Sequence, residues 1–354
     1  MSSMRFLSTS NTTDDRALAL NIYSGVFAEA FRAMPKLFDS PYPVIHRKTV
    51  DGAKSYQALM MAQIQSPERA YTPGNRLLGQ DYAVESATIT ADKYVLAHSK
   101  VPRDEMRVSH FEILPRLARS HARELRVELD RRLFITGCNA ARAAALYKPP
   151  TTGLIVHNGG NRVTRTGGAI ATSWAKSTTG AANIRADLRS LGRLMDDDNV
   201  PDDGRFLWVT PHVREVLAYD SNPSNLFSRD YIPEGTNVVQ RRVIREIEGF
   251  KLIDYVNPTT NGGTIPDENM ATYLDMPTKY QIDFSIGASN GTPVALALCD
   301  SGDGGAAISL GTWESIQHEV TYIEDELVWL VASFTLAGIG QMYPWCAGSI
   351  ECIT

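Results

Sequence analysis

Long apolar runs are missing from this sequence. No stretch approaches the roughly 18 consecutive apolar residues that a membrane-crossing helix needs, and the longest candidate, residues 327–336, is strand-sized. The opening MSSMRFLSTSNTTDD holds no apolar signal-peptide core, so the expected place of synthesis is a cytoplasm. Cysteine is scarce too. Cys138, Cys299, Cys346 and Cys352 include no CxxC pair and have no histidine at zinc-ligand spacing. They are expected as buried free thiols in a reducing compartment, with a Cys346–Cys352 disulfide as the alternative. Basic excess is also absent. The 35 Lys and Arg against 40 Asp and Glu leave a net charge of −5. That disfavours a dedicated nucleic-acid binder, which carries a net basic face. It does not disfavour a protein that encloses nucleic acid without gripping it.

Catalytic and metal-binding signatures are wanting as well. The seven histidines, His46, His98, His110, His121, His157, His212 and His318, are scattered, and there is no nucleophile elbow. The acidic run 196–203 lacks the alternating spacing, the glycine and the distal glutamate of a calcium loop. It is expected as a solvated turn. The glycine turn Gly302-Asp303-Gly304-Gly305 opens no helix, so it is expected to be a hairpin turn rather than a phosphate cradle. No catalytic residue, cofactor or metal is therefore expected, and a soluble enzyme remains only as the reading from another class.

What the chain does have is an ordinary globular composition, 43% apolar and 21% charged, over 354 residues, enough for two or three domains. Leu18, Ile22 and Val26, widened by Phe27 and Phe31, predict a helix over 16–31. Residues 46–100 are extended, polar-alternating and poor in large apolar side chains. Strand-like 54–65, a Pro-Gly-Asn tip near 71–80 and alternating 82–97 predict a long hairpin. A two-stranded arm without a core is marginal in water and needs a neighbouring surface, which favours a self-assembling protein. A long helix follows at 112–137. Leu114, Leu117, Ala118, Ala122, Leu125, Leu129 and Leu133 form its apolar stripe, Pro115 lies in its first turn and Gly137 is at its expected end. The opposite face carries Arg116, Arg119, Arg123 and Arg126 among interleaved acids, and is expected to face solvent or another subunit rather than DNA. Further on, a helix is predicted at 183–196, a buried strand at 205–210, a short helix at 211–219 and a hairpin turning at Glu248-Gly249. Strands are predicted at 294–299, 306–310 and 326–335. The fold class is α+β.

Three stretches resemble the major capsid proteins of tailed, short-tailed (podovirus-like) bacteriophages, with the fold named after phage HK97. They are ELRVELDRRLFI at 124–135, IREIEGFKLIDYVN at 244–257 and ASFTLAGIGQMYPWCAGSI at 332–350. Tyr343-Pro344-Trp345 departs from the Arg-Pro-Glu-like stretch usual in that family. The resemblance implies an N-terminal arm (1–45), an E-loop hairpin (46–104), a peripheral domain with the spine helix (105–182), an axial domain (183–312) and a return to the peripheral domain (313–354). It implies hexamers and pentamers tiling an icosahedral virion shell around double-stranded DNA, built in the cytoplasm of a bacterial host. No sequence-specific DNA binding and no membrane would be involved. Portal and scaffolding proteins, and a cement or decoration protein, are implied partners. The E-loop would meet a neighbour through Leu59, Met60, Ile64, Tyr71, Leu77 and Leu78, and axial loops would carry Asp197, Asp198, Asp202 and Asn225. Lys54 and Lys93 lie in the arm without a nameable asparagine partner, so non-covalent assembly is expected. An encapsulin-type nanocompartment is the alternative of the same fold.

Overall fold

The computed structural model describes residues 12–32, 44–61, 84–102, 113–147, 155–202, 204–217, 246–254, 277–280, 291–300 and 305–354. In chain order the first elements are α1 (Thr12–Arg32), β1 (Ile45–Thr49), β2 (Ser55–Met61), β3 (Val84–Thr90), β4 (Val95–Pro102) and α2 (Ile113–Ala141). Next come β5 (Leu146–Tyr147), β6 (Ile155–His157), β7 (Asn161–Thr166), α3 (Ile170–Ser173), α4 (Thr178–Asp197), β8 (Phe206–Val209) and α5 (Pro211–Leu217). The rest are β9 (Glu246–Ile247), β10 (Phe250–Asp254), β11 (Thr292–Leu298), β12 (Ile308–Ile323), β13 (Val328–Gln341) and β14 (Ala347–Ile353).

Two sheets organise the chain. One has the order β1-β12-β13-β4, the other β7-β14-β11-β8-β10-β9. Helix α2 runs between them. At 29 residues it is about 43 Å long. In its first half one stripe is buried, through Leu114, Ala118, Ala122 and Leu125, and the other side stays open. From Leu129 to Cys138 every residue is buried, because both sheets and the segment around Tyr280 enclose it. Gly137 does not end this helix, as its residue type suggested. It lies four residues inside, where a Cβ would stand 2.8 Å from Leu296 Cδ2 of β11. The glycine serves close approach of helix to strand.

Strands β8 and β11 are buried at every position because each has neighbours on both edges and cover on both faces. That is why their sequences are unbroken apolar runs rather than alternations. The hairpin of β9 and β10 turns at Glu248 and Gly249, both with positive φ (48° and 81°), as a two-residue turn of this kind requires. Ser177 caps α4, its Oγ accepting from the Gly180 N–H (3.2 Å), and Ile184, Leu188, Leu191 and Met195 form that helix's buried stripe. Helix α1 buries Tyr23, Phe27 and Phe31, while Ile22 and Val26 are only partly covered. The aromatic edge, not the aliphatic one, fills the seam over α2 and β12.

Several expected boundaries move. Segment 46–104 is not all arm: β1 pairs in parallel with β12, and β4 pairs antiparallel with β13, both within the body. The Gly302–Gly305 stretch does not join two strands of one hairpin. β11 and β12 enter different sheets, and among the described residues an antiparallel Asp300–Ala306 bridge links the two approaches; residues 301–304 lie outside the described set. The strand expected at 306–310 extends to Ile323 and forms a long hairpin with β13 through the turn 324–327. Segment 313–354 is also split, because β14 belongs to the second sheet between β7 and β11. All four cysteines are free and buried, so the Cys346–Cys352 disulfide is absent.

Candidate functional site: the arm and the open face of the long helix

The arm is the paired β2 and β3, in register from Ser55–Thr90 to Met61–Val84. Its root is fastened to the first sheet. Tyr56, Ala58 and Ile89 are buried with Val50 and Met342 in a small cluster separate from the main core, against Trp313. The Tyr56 hydroxyl hydrogen-bonds Ser309 Oγ, and the Trp313 indole N–H donates to the Ala53 carbonyl. Gly338 makes this seat: a Cβ there would collide with the Thr90 carbonyl and the Trp313 ring. On the opposite face of β2 from Tyr56 and Ala58, Leu59 is 62% exposed, while its carbonyl accepts from the Tyr343 hydroxyl at 3.5 Å. Met60 pairs with Glu85 in the same hairpin. Ile64, Tyr71, Leu77 and Leu78 lie outside the described residues, as does Asn225.

The arginines of α2 divide into two groups. Arg116, Arg119 and Arg123 are exposed along the open side of the first half. Arg126 departs from the solvent-facing expectation. It is 1% exposed, its guanidinium donates to the Phe31 carbonyl and lies 5.1 Å from the Phe31 ring centroid. Position 126 falls where the end of α1 crosses the helix, so its charge satisfies a carbonyl at that crossing. Arg131 and Arg132 turn back to Glu128 at 2.9 and 3.0 Å.

The acidic turn is less loose than its composition suggests. The Arg205 guanidinium holds Asp196 (2.7 Å) and Asp202 (2.9 Å) and donates to the Val200 carbonyl (2.6 Å). Asp198 accepts from Asn158 Nδ2 at 2.8 Å, and its partial burial raises its carboxyl pKa. Asp197, the last residue of α4, stays exposed. Arg205 is the residue that the sequence reading missed here, although a buried-strand flank carrying an arginine beside five aspartates was a signal. Among the described residues no group of three or more His, Cys, Asp or Glu converges as a metal site, and no helix is long and apolar enough to cross a membrane.

Two buried polar clusters lock the surfaces to the body. Glu351 is 0% exposed in β14. It takes Arg142 Nε at 2.9 Å, Arg162 Nη2 at 2.7 Å and the Ser349 hydroxyl at 2.9 Å. Arg142 Nη2 also donates to the Gly291 carbonyl (2.6 Å). This cluster ties the end of α2 to β7, β14 and the start of β11. The second joins α1 to the first sheet. Tyr23 Oη lies 2.6 Å from His121 Nδ1 and 2.7 Å from Ser333 Oγ. His121 Nε2 reaches Ser99 Oγ (2.7 Å), and His318 Nδ1 reaches Ser333 Oγ (3.1 Å). Burial lowers the pKa of both imidazoles, aided at His121 by His98, and pushes the Tyr23 phenol up to about 12. No motif announced either cluster; both depend on pairings between residues distant in the chain.

No family model matches the sequence, and no curated protein matches it. Solved structures do. The capsid of cyanophage P-SCSP1u superposes with a TM-score of 0.66 at 16% identity, covering 90% of this chain and 89% of that one. The mature capsid of bacteriophage PhiM1 gives 0.64 at 15% identity, with 90% and 87% covered. The capsid of Ralstonia phage GP4 gives 0.54 at 14%, with 89% and 90% covered. The resemblance first carried by three short stretches extends to nearly the whole backbone: the chain has the HK97-type fold of phage capsid proteins.

Proposed function

We propose that this chain is the major capsid protein of a tailed phage, a structural subunit and not an enzyme. Copies associate as hexamers and pentamers and close into an icosahedral shell around double-stranded DNA in the cytoplasm of a bacterial host. Portal, scaffolding and decoration proteins are the partners this reading calls for. The observation that carries it is the β2–β3 arm. Its root is cemented into the body by Tyr56, Ala58 and Ile89, and its outer face carries Leu59, 62% exposed. A hairpin that holds an apolar residue in water has a use when a second copy covers it. The loops around Asp197, Asp198, Asp202 and Asn225 are proposed to face the capsomer axis.

Negative-stain electron microscopy of the purified protein, with light scattering for mass, tests this. Closed shells or ring-shaped capsomers are expected. A monomer that stays monomeric when produced with its genomic neighbours would overturn the proposal.

A further inference from the structure

We propose that the hydrogen-bonded chain running from Ser99 through His121, Tyr23 and Ser333 to His318 is an acid-opened latch that holds α1 on the body. The inference does not depend on the shell reading. Each side chain comes from a different element: Ser99 from β4, His121 from α2, Tyr23 from α1, Ser333 from β13 and His318 from β12. The links between them measure 2.7, 2.6, 2.7 and 3.1 Å in that order. Tyr23 is the member that α1 contributes. Its ring lies between the two imidazoles, with centroids 6.0 Å from His121 and 5.5 Å from His318. Phe27, one turn further along α1, packs edge-on against His318 at 4.5 Å. Helix α1 pairs with no strand, so it can lift from this seam without breaking a sheet.

The proton count makes the latch sensitive to acid. A hydroxyl has one proton to donate, and a neutral imidazole has one N–H. With both imidazoles neutral, every link receives one proton and the chain closes. A protonated His121 donates at both nitrogens, so Tyr23 must turn its own proton to Ser333. Once His318 is protonated too, it also donates to Ser333, and one hydroxyl proton of the Tyr23–Ser333 pair is left without an acceptor in the chain. Two positive charges then bracket that buried pair, and among the described residues no carboxylate pairs with either imidazole. The groups around them offer no compensation. β4 adds His98, a third imidazole, whose charge opposes that of His121. On α2, Arg126 is a fixed positive charge under Phe31, and Glu124 is exposed. Leu20, Phe27 and Phe31, on the packed edge of α1, are uncharged, as are Val331 and Thr335 beside Ser333 in β13. Glu319, next to His318 in β12, takes the Thr321 hydroxyl at 2.8 Å. Tyr23 and its helix keep water from both rings, and that burial lowers both imidazole pKa values. Lifting α1 hydrates the rings, so protons bind the open form more tightly than the closed one.

The test is hydrogen–deuterium exchange of the full-length chain, read by mass spectrometry at pH 7.5 and pH 5.0 and corrected for the intrinsic pH dependence of amide exchange. Helix α4, which lies away from the seam, is the internal reference. Below about pH 6.5 each histidine that is protonated only in the open form shifts the open-to-closed ratio by up to about tenfold per pH unit. Opening of α1 should therefore rise by about tenfold or more at pH 5.0, while α4 changes by less than about twofold. His121→Gln/His318→Gln, which cannot take up the protons, should hold α1 within about threefold of its pH 7.5 protection. The single variants His121→Gln and His318→Gln should each keep part of the acid response, and they carry the comparison if the double variant does not fold at pH 7.5. An α1 that is unprotected already at pH 7.5, or that exchanges alike at the two pH values, would overturn the proposal. So would α1 and α4 loosening together, which would place the acid effect on the whole fold, or single variants that respond as wild type does.

Discussion

At the scale of single residues, stability concentrates in a few buried charges and rings. Glu351 lies between Arg142 and Arg162, and it has no exposure. Removing it takes a buried counter-charge from two part-buried guanidinium groups. Glu351→Ala is expected to cost about 3–5 kcal/mol in urea unfolding; a loss under about 1 kcal/mol would mean that water replaces the carboxylate. The imidazoles of His121 and His318 both have lowered pKa values. As pH falls below about 6.5, the ordinary histidine value, the unfolded chain takes up protons that the folded chain refuses. Stability should therefore decline from about pH 6.5 downward until the lowered folded values are passed, and should be insensitive to these groups above it. Thermal unfolding from pH 8 to pH 5 measures this, and His318→Gln should flatten the slope. Neither cluster was legible in the sequence. His121 and Ser333, or Arg142 and Glu351, lie more than two hundred residues apart in the chain and become neighbours only when the strands around them pair.

Among the elements, what could be foreseen followed local period. The stripe of α2, the unbroken apolar run of β8 and the Glu248-Gly249 hairpin are all written within a few consecutive residues. β12 was cut short because its outer half, WESIQHEVTYI, alternates polar and apolar side chains without a turn residue to mark its length. Its partners β1 and β13 supply the reason it is a strand. Gly137 was misplaced for the opposite reason: a residue type that ends helices was used here for contact with Leu296. The seat of the arm depends on another glycine. Gly338→Ala places a methyl group against the Thr90 carbonyl, so the hairpin root must lift. Overpacking of this kind costs about 1–3 kcal/mol. The expected result is faster proteolytic cleavage within 55–61 in the variant while cleavage elsewhere is unchanged. An unaltered cleavage pattern would show that the seat accommodates the methyl.

For the whole molecule, the pairing of a strand near residue 54 with one near residue 90 was readable from the alternation of segment 46–100. The division of strands between the two sheets was not. Leu59 offers a direct test of what the arm is for. Leu59→Asp puts a charge on a side chain that is 62% exposed in the single subunit, so subunit stability should move by no more than about 0.5 kcal/mol. In the assembled state the same charge would be buried against a neighbour. Shells should be lost from electron micrographs while circular dichroism and melting stay near wild type; normal shells would remove the arm from the assembly contact.

The position of β14 has a consequence for timing. It lies between β7 and β11, so β7 has no neighbour in that sheet, and β11 only β8, until the ribosome has made residues 347–353. β1 waits in the same way for β12. At about 5–20 residues per second, synthesis of this length takes about 20–70 s. Throughout that interval a nascent chain holds neither sheet complete. Chains growing side by side on one message therefore have no finished seat on which one arm could rest against another body. Completion of the two sheets and readiness to associate arrive together, once residues 347–353 have been made.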